Sequence, residues 1–425
     1  SHQLYRWLSP MLTVFERRHP HRESEYDADD PGGERYIVFG LGRYGCAIAD
    51  GLRGRGESVM GVDIDPEVVR HQAREHTGIR FGDAEDIVWV EQKEQKGTAH
   101  AVVCCKEHLE DFDGETMVLC GDGPLIRGET LKILTEKHHA EQASVTLATA
   151  LMDDPTGYGR IVRDVYGNIQ GIVEDSDCTR EQLGIKEVNP SYYLFNNRAL
   201  FEALANIKPD NVKGEYYLTD ALALLIAGGR KVVAITAVRP EDAMGVNSRG
   251  QLSTASKIMQ RRIQHAMMEN GVTIVDPGNT WIDARAKIGQ DTVVEPFTYI
   301  HGEVVIGQNC RIGPFAFLRH GTVMRDDVVV GVFAELKNTT LDEGARVRHH
   351  SYLGDATVGR HVNVGAGSLT ANYDGENVNH TKVGDDCYIG SGAVLVAPLV
   401  IEDGSHISAG MVVSQQDVEK LRGKG

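Results

Sequence analysis

The chain has 425 residues, 41% hydrophobic and 25% charged, the balance of a folded protein with room for two or three domains. A formal net charge of −17 argues against a nucleic-acid-binding surface over the whole molecule and leaves room for a local basic pocket. Seven scattered cysteines without metal-ligand or redox spacing fit reduced thiols in a cytoplasmic protein, and no apolar run is long enough to span a bilayer. There is no signal peptide and no initiating Met, which fits a fragment. Residues 1–34 comprise an amphipathic stretch, LYRWLSPMLTVFERR, and an acidic linker carrying Pro31-Gly32-Gly33. Residues 35–88 alternate strand and helix: YIVFG, AIADGLRGRG, SVMGVDID, PEVVRHQARE and GIRFG. That is a Rossmann-type nucleotide-binding unit with a parallel sheet. Residues 89–248 continue as mixed α/β, with strands expected at AVVCC, TMVLCGD, SVTLAT, IVEDS and VVAITAV. Residues 249–271 read as one linker helix ending at Gly271.

From residue 272 to 425 the period changes. Aliphatic residues recur at every sixth position: Ile282, Ile288, Val294, Ile300, Ile306, Ile312, Leu318, Met324, Val330 and Leu336. The register slips by one and resumes at Leu341, Val347 and Leu353, then slips again to Val358 and Val364. A last run is Val383, Ile389, Leu395, Ile401, Ile407 and Val413. A six-residue period belongs to neither a helix nor an ordinary strand. It is the hexapeptide signature of a left-handed parallel β-helix, with one inward aliphatic residue per flat face and three faces per coil.

Several segments break the repeat with functional residue types: IGPFAFLRHG, AELKN, HHSYLGDA, VNVGAGSLTANYDG, IGSGAVLVAP and ISAGMVV. Together they resemble the acetyltransferase half of the bacterial N-acetylglucosamine-1-phosphate uridyltransferase/glucosamine-1-phosphate acetyltransferase family, a resemblance running from about Trp89 to Val413. It implies acetyl transfer from acetyl-CoA to the amine of glucosamine-1-phosphate, within UDP-N-acetylglucosamine and peptidoglycan synthesis, by a homotrimer. His349 falls at the family's general-base position. Imidazole suits the task because the amine must be uncharged to attack a thioester near neutral pH. Adjacent His350 is the alternative base or a solvated neighbour. Arg319 and Lys337 fall where the family binds the sugar phosphate, and Tyr352 and Asn363 match its other sugar contacts. Ala366, Asn372, Tyr373, Ser391 and Ala409 match acetyl-CoA positions. The family's C-terminal arm carries an Arg that contacts coenzyme A; Arg422 is present in SQQDVEKLRGKG, in a context that does not match.

The middle of the chain resembles the uridyltransferase half of the same family. WVEQKEQKGTAHAV supplies Gln92, Gly97 and Thr98 at uracil-contact positions. GYGRI, IVED and EVNPSYY supply Gly159, Glu174 and Asn189 for the sugar nucleotide. CGDGPLI and GVNSR supply Asp122 and Asn247, the family's Mg²⁺ ligands. The family's opening Gly-rich loop, which holds the triphosphate of UTP, has no match here, so uridyl transfer is expected to be impaired. In its place stands G-x-G-x-x-G, formed by Gly40, Gly42 and Gly45 between a strand and a helix, with Asp63 ending the second strand. This segment resembles the regulator of K⁺ conductance domain of cation:proton antiporters, which implies NAD or a related adenine nucleotide. It either completes one parallel sheet with the uridyltransferase remnant or marks a truncated fusion. The rival functional readings are a nucleotide-sensing regulatory fusion and a non-functional chimera. No membrane insertion of this chain is expected.

Overall fold

A computed structural model describes residues 34–39, 58–63, 88–109 and 112–422. They fall into two compact units, one up to residue 256 and the other from residue 257 onward, each taken here by itself.

The first unit holds one sheet. Its described strands are β1 (Glu34–Phe39), β2 (Ser58–Asp63), β3 (Val88–Glu91), β4 (Glu115–Cys120), β5 (Val145–Leu151), β6 (Gly159–Arg163), β7 (Ile169–Val173), β8 (Glu187–Asn196) and β9 (Val232–Val238). The order is β3-β2-β1-β4-β8-β5-β9, with β6 and β7 on a branch beside β8. Pairing is parallel from β3 through β4 and between β5 and β9, while β8 runs antiparallel between β4 and β5. Phe39 lies in register with Cys120 and Asp63 with Glu91, so β1, β2, β3 and β4 end at one edge of the sheet. β1 and β2 therefore share a sheet with strands of the uridyltransferase-like segment, and the position at which sequence divides the two segments falls inside β3. The expected helices at AIADGLRGRG and PEVVRHQARE and the strand at GIRFG lie outside the described residues.

The helices of this unit are α1 (Thr98–Cys104), α2 (Lys106–Leu109), α3 (Gly128–Glu141), α4 (Asn197–Leu204) and α5 (Leu218–Ala227). AVVCC, expected as a strand, lies in α1 and the turn that ends it. Its β-branched, apolar composition suits a strand, but Ala99, Ala101, Val102 and Cys105 are buried while Val103 is exposed, a one-sided helical spacing. Alternate residues of the strands feed two cores. Val118, Val145, Leu147 and Phe195 pack with α1, α4 and α5 on one face. Met117, Leu119, Ala148 and Leu194 pack with Leu134 of α3 on the other.

The helix expected over 249–271 is α6 (Arg249–Glu269). Its part from residue 257 onward belongs to the second unit and is tied to the first coil there by two buried glutamines. Gln260 Nε2 donates to Ile282 O at 2.7 Å and its Oε1 accepts from Ile282 N–H at 3.0 Å, while Gln264 Nε2 donates to Thr280 O at 2.7 Å. These bonds satisfy first-coil backbone groups that have no preceding coil to pair with.

Beyond α6 the chain forms a parallel β-solenoid of hexapeptide repeats, built from strands mostly two to four residues long. Ile282, Ile300, Leu318 and Leu336 stack in register at eighteen-residue intervals, and nearly every aliphatic residue of the sixfold series is buried in one continuous core. The slips have a structural cause. Met324 pairs with Leu341 and Leu341 with Val358, so those two turns take seventeen residues. One coil instead takes twenty-five: Val358 pairs with Val383 and Val364 with Ile389, and the extra residues form the loop after Ala371. Thr370 takes the inward position there, its hydroxyl donating to Gly354 O at 3.0 Å and accepting from Gly354 N–H at 2.8 Å. The chain's last described helix is α7 (Gln415–Arg422).

Candidate functional site

Two lines of residues run along the solenoid. Leu318 pairs with Leu336 and Lys337 with Gly354, which puts Arg319, Lys337 and Gly354 in register on successive coils. Arg319 Nη1 donates to Glu335 Oε1 at 2.9 Å, and its guanidinium carbon lies 5.7 Å from the Phe317 ring centroid. Lys337 is half-buried and makes no ion pair among the described residues. The Tyr352 hydroxyl and Asn372 Nδ2 both close over Gly354, where an added Cβ would overlap them. Asn372 is held in turn by Asp355, which is buried, has φ of 51°, and accepts from Asn372 Nδ2 at 2.5 Å and Asn338 Nδ2 at 2.6 Å. A left-handed backbone at Asp355 is tolerated because short polar side chains adopt it at little cost.

The second line follows a corner of the coils. His349 ends the strand Arg346–His349 and pairs with Val332. Registers carried forward from Val347, Val364 and Ile389 place Ala366, Ser391 and Ala409 behind it, one per coil, and all four are exposed. Gly365 and Gly390 run beside this line, and an added Cβ at Gly365 would stand 2.5 Å from Ser391 N. The paired histidines differ sharply. His350 has φ of 46° and its ring lies 5.0 Å from Phe333, the end of a stacked ladder of Phe297, Phe315 and Phe333 with centroids 4.8 and 5.2 Å apart. His349 has no such ring contact among the described residues, and its carbonyl accepts from the Ser351 hydroxyl at 2.8 Å, which fixes the turn. Asn363 is half-buried between Arg346 and Tyr388 on the adjoining face. In the long loop, Tyr373 is 61% exposed and donates to Gly375 O at 2.5 Å. Backbone N–H groups, Asn377's foremost, hold the Asp374 carboxyl below the usual carboxylate range.

The first unit gathers its candidate residues into two groups. Gln92 is buried and its Nε2 donates to Gly97 O at 3.2 Å. Gly97 has φ of 108°, and an added Cβ would stand 2.5 Å from Tyr216 O, so only glycine fits. Thr98 Oγ1 accepts from Leu218 N–H at 2.9 Å, and the next residue, Thr219, donates to Glu174 Oε1 at 3.1 Å. Gly159 pairs with Asn189, and an added Cβ would lie 3.4 Å from Glu174 Oε2. Asn189 is buried and donates to the Tyr193 hydroxyl at 2.5 Å. Burial pushes the Glu174 carboxyl up. Gln92, Gly97, Thr98, Gly159, Glu174 and Asn189 are thus linked through Tyr216–Thr219.

Asp122 and Asn247 form the other group. Asp122 O accepts from Val246 N–H at 2.8 Å, and its Oδ1 accepts from the Cys120 thiol. A Cβ on Gly245 would stand 3.2 Å from Asp122 Oδ2 and 3.6 Å from the Asn247 amide nitrogen, so the two side chains flank one glycine. Two oxygen donors suit Mg²⁺, which keeps several waters and takes substrate phosphate oxygens for the rest. No cluster of three or more His, Cys, Asp or Glu with metal-site geometry occurs among the described residues. Gly40, Gly42 and Gly45 lie outside the described residues, while Asp63 closes β2 opposite Glu91, the residue before Gln92. Asp355 and Asn338 were missed as site residues, although Asp355 lies in the motif HHSYLGDA. No helix among the described residues is long and apolar enough to cross a membrane.

Residues 65–244 match the nucleotidyl transferase family, which carries the similarity upstream of Trp89. Residues 285–320 match the bacterial transferase hexapeptide (six repeats), and residues 380–415 the hexapeptide repeat of succinyl-transferase. The bifunctional protein GlmU of Listeria welshimeri is 40% identical over 399 residues, covering 86% of this chain and 87% of the relative. That of a Geobacillus species is 41% identical over 373 residues, covering 80% and 81%. A sheet unit of nucleotidyl transferase type followed by hexapeptide coils, matched over most of both lengths, means that this chain belongs to the bifunctional GlmU family.

Proposed function

We propose that the solenoid transfers acetyl from acetyl-CoA to the amine of glucosamine-1-phosphate, with His349 as general base. The observation that carries this is the contrast at the paired histidines: the His350 ring packs at a tilt against Phe333, while the exposed His349 stands in line with Ala366, Ser391 and Ala409. His349 takes a proton from the amine as its nitrogen attacks the thioester carbonyl; the C–N bond forms, the C–S bond breaks, and the thiolate leaves and is protonated. Arg319 and Lys337 hold the sugar phosphate by charge-assisted bonds, with Tyr352 and Asn363 on the sugar. Ala366, Ser391 and Ala409 line the coenzyme, with Asn372 and Tyr373 from the long loop. The active form is a homotrimer acting in the cytoplasm, with each site completed by a neighbouring chain.

The first unit takes UTP and N-acetylglucosamine-1-phosphate. Gln92, Gly97 and Thr98 hold uracil, Gly159, Glu174 and Asn189 hold the sugar, and Asp122 and Asn247 hold Mg²⁺. Bound there, the cation would supply charge neutralisation on the phosphates while the sugar phosphate oxygen displaces pyrophosphate from the α-phosphorus. Retention of uridyl transfer is favoured over the impairment expected from the lack of a matching Gly-rich loop. Its support is the nucleotidyl transferase match from residue 65 and the pairing of β1 with β4. NAD at Gly40, Gly42, Gly45 and Asp63, and with it the regulatory fusion, has no comparable support. Mass spectrometry of a reaction with acetyl-CoA, glucosamine-1-phosphate, UTP and Mg²⁺ tests both steps. It should show N-acetylglucosamine-1-phosphate and then UDP-N-acetylglucosamine; an unacetylated sugar would overturn the first assignment, and accumulation of the acetylated monophosphate alone the second.

A further inference from the structure

Asp122 and Asn247 sit on two separate loops, one running from β4 to α3 and the other from β9 to α6. Two polar ties cross between them. Beside the pair itself, Val246 N–H donates to Asp122 O at 2.8 Å. Five residues beyond Asp122 stands Arg127, and five residues before Asn247 stands Asp242. Arg127 Nε donates to Asp242 Oδ2 and its Nη2 to Asp242 Oδ1 at 3.3 Å, with a further 3.3 Å bond from Nη2 to Glu241 Oε1. Asp242 is 1% exposed, so its carboxylate depends on partners inside the protein. The Tyr192 hydroxyl, itself buried, also donates to Asp242 O at 3.5 Å and lies where a Cβ on Gly123 would fall.

We propose that the Arg127–Asp242 pair is a positioning clamp that sets the distance between Asp122 and Asn247 for a divalent cation. The inference rests on the assignment of those two residues as the cation's ligands. Mg²⁺ demands near-ideal octahedral geometry, with ligand oxygens at about 2.0–2.1 Å. Two ligands on independent loops meet that demand only if both loops are fixed. A planar fork bound to both oxygens of a buried carboxylate fixes orientation as well as distance, which a single ammonium contact does not. Neither residue falls in the segments CGDGPLI and GVNSR by which the ligands are recognised, so the clamp shows only in the folded chain.

The test is binding of Mn²⁺ in the presence of UTP and without sugar phosphate, followed by electron paramagnetic resonance on the full chain. Arg127→Met should weaken Mn²⁺ binding by about 10–100-fold, the usual cost of losing a group that supports a metal ligand. Arg127→Lys, which keeps charge without the fork, should recover only part of it, whereas a merely structural cation would be fully replaced by lysine. Acetyl transfer by the same variants should be unchanged. Should Arg127→Met fail to fold because the buried Asp242 loses its guanidinium, the neutral pair R127Q/D242N serves instead, with the same loss expected. Native Mn²⁺ affinity in a folded Arg127→Met or R127Q/D242N variant overturns the clamp. Asp122→Ala and Asn247→Ala separate the two ideas: if they bind Mn²⁺ as the native chain does, the ligand assignment fails and the clamp with it. If they lose Mn²⁺ while Arg127→Met keeps it, the clamp alone fails.

Discussion

Replacing His349 with Ala should slow acetyl transfer by about 10²–10⁴-fold, the usual contribution of a general base. At about 1.36 kcal/mol per tenfold, that is about 2.7–5.4 kcal/mol of barrier. Stability should barely move, because the His349 ring is exposed and makes no hydrogen bond or ring contact among the described residues. A change within about 0.5 kcal/mol is the expectation for such a surface site. His350→Ala should behave in the opposite way. It removes a ring 5.0 Å from Phe333, a contact of a kind worth about 0.5–1.5 kcal/mol, and leaves alanine at φ of 46°. His350→Gly, which accepts that backbone freely, should recover part of the loss. Thiol release from acetyl-CoA gives the rates, and urea denaturation gives the stabilities. If His350→Ala slows the reaction more than His349→Ala, or if neither does, the assignment of the base is wrong.

Lys337→Ala should raise the KM for glucosamine-1-phosphate by about 10- to 150-fold, matching about 1.5–3 kcal/mol for a bond to a charged group, and leave the oligomer intact. An unchanged KM in steady-state kinetics would remove Lys337 from the phosphate site. Leu336→Ala should lower stability by about 2–5 kcal/mol in urea denaturation, because Leu336 is fully buried between Leu318 and Leu353 in neighbouring coils. Glu174→Gln should trade activity for stability. Burial raises the folded-state carboxyl above its ordinary value, so ionisation is resisted and stability is lost as pH climbs from about 4.3 through the raised value. The variant should therefore melt higher than the native chain at pH 7, converge with it near pH 4, and transfer uridyl more slowly; equal melting at both pH values would contradict the buried carboxylate. Sedimentation should find a trimer, and a stable monomer at micromolar concentration would count against sites shared between chains.

The solenoid was legible because its inward positions recur at a fixed interval, and a residue such as Ile312 or Leu318 has one role wherever it falls in the cycle. The slips at Leu341 and Val358 were visible as missing residues, but their cause, two seventeen-residue turns, required the pairing of Met324 with Leu341 and Leu341 with Val358. AVVCC misled because its composition favours a strand, while burial on one side selects a helix; tertiary packing decided between them. Completion of one parallel sheet by the first segment was one of two readings open in the sequence, but the register of Phe39 with Cys120 was not legible, since parallel pairing between strands distant in the chain leaves no local pattern. Side-chain ties such as Asp355 to Asn338 and Asn372, or Arg127 to Asp242, join residues far apart in the chain and become evident only from coordinates. The two histidines looked alike in sequence; the left-handed backbone at His350 and its place on the phenylalanine ladder distinguish them.

The central claim, that the solenoid acetylates an amino sugar phosphate, is tested most directly by thiol release from acetyl-CoA, measured with glucosamine-1-phosphate and again with it omitted. Release should occur at an enzymatic rate, about 1–1000 per second, only when the amino sugar phosphate is present. Release that is equally slow in both reactions, or equally fast without the sugar, would contradict it.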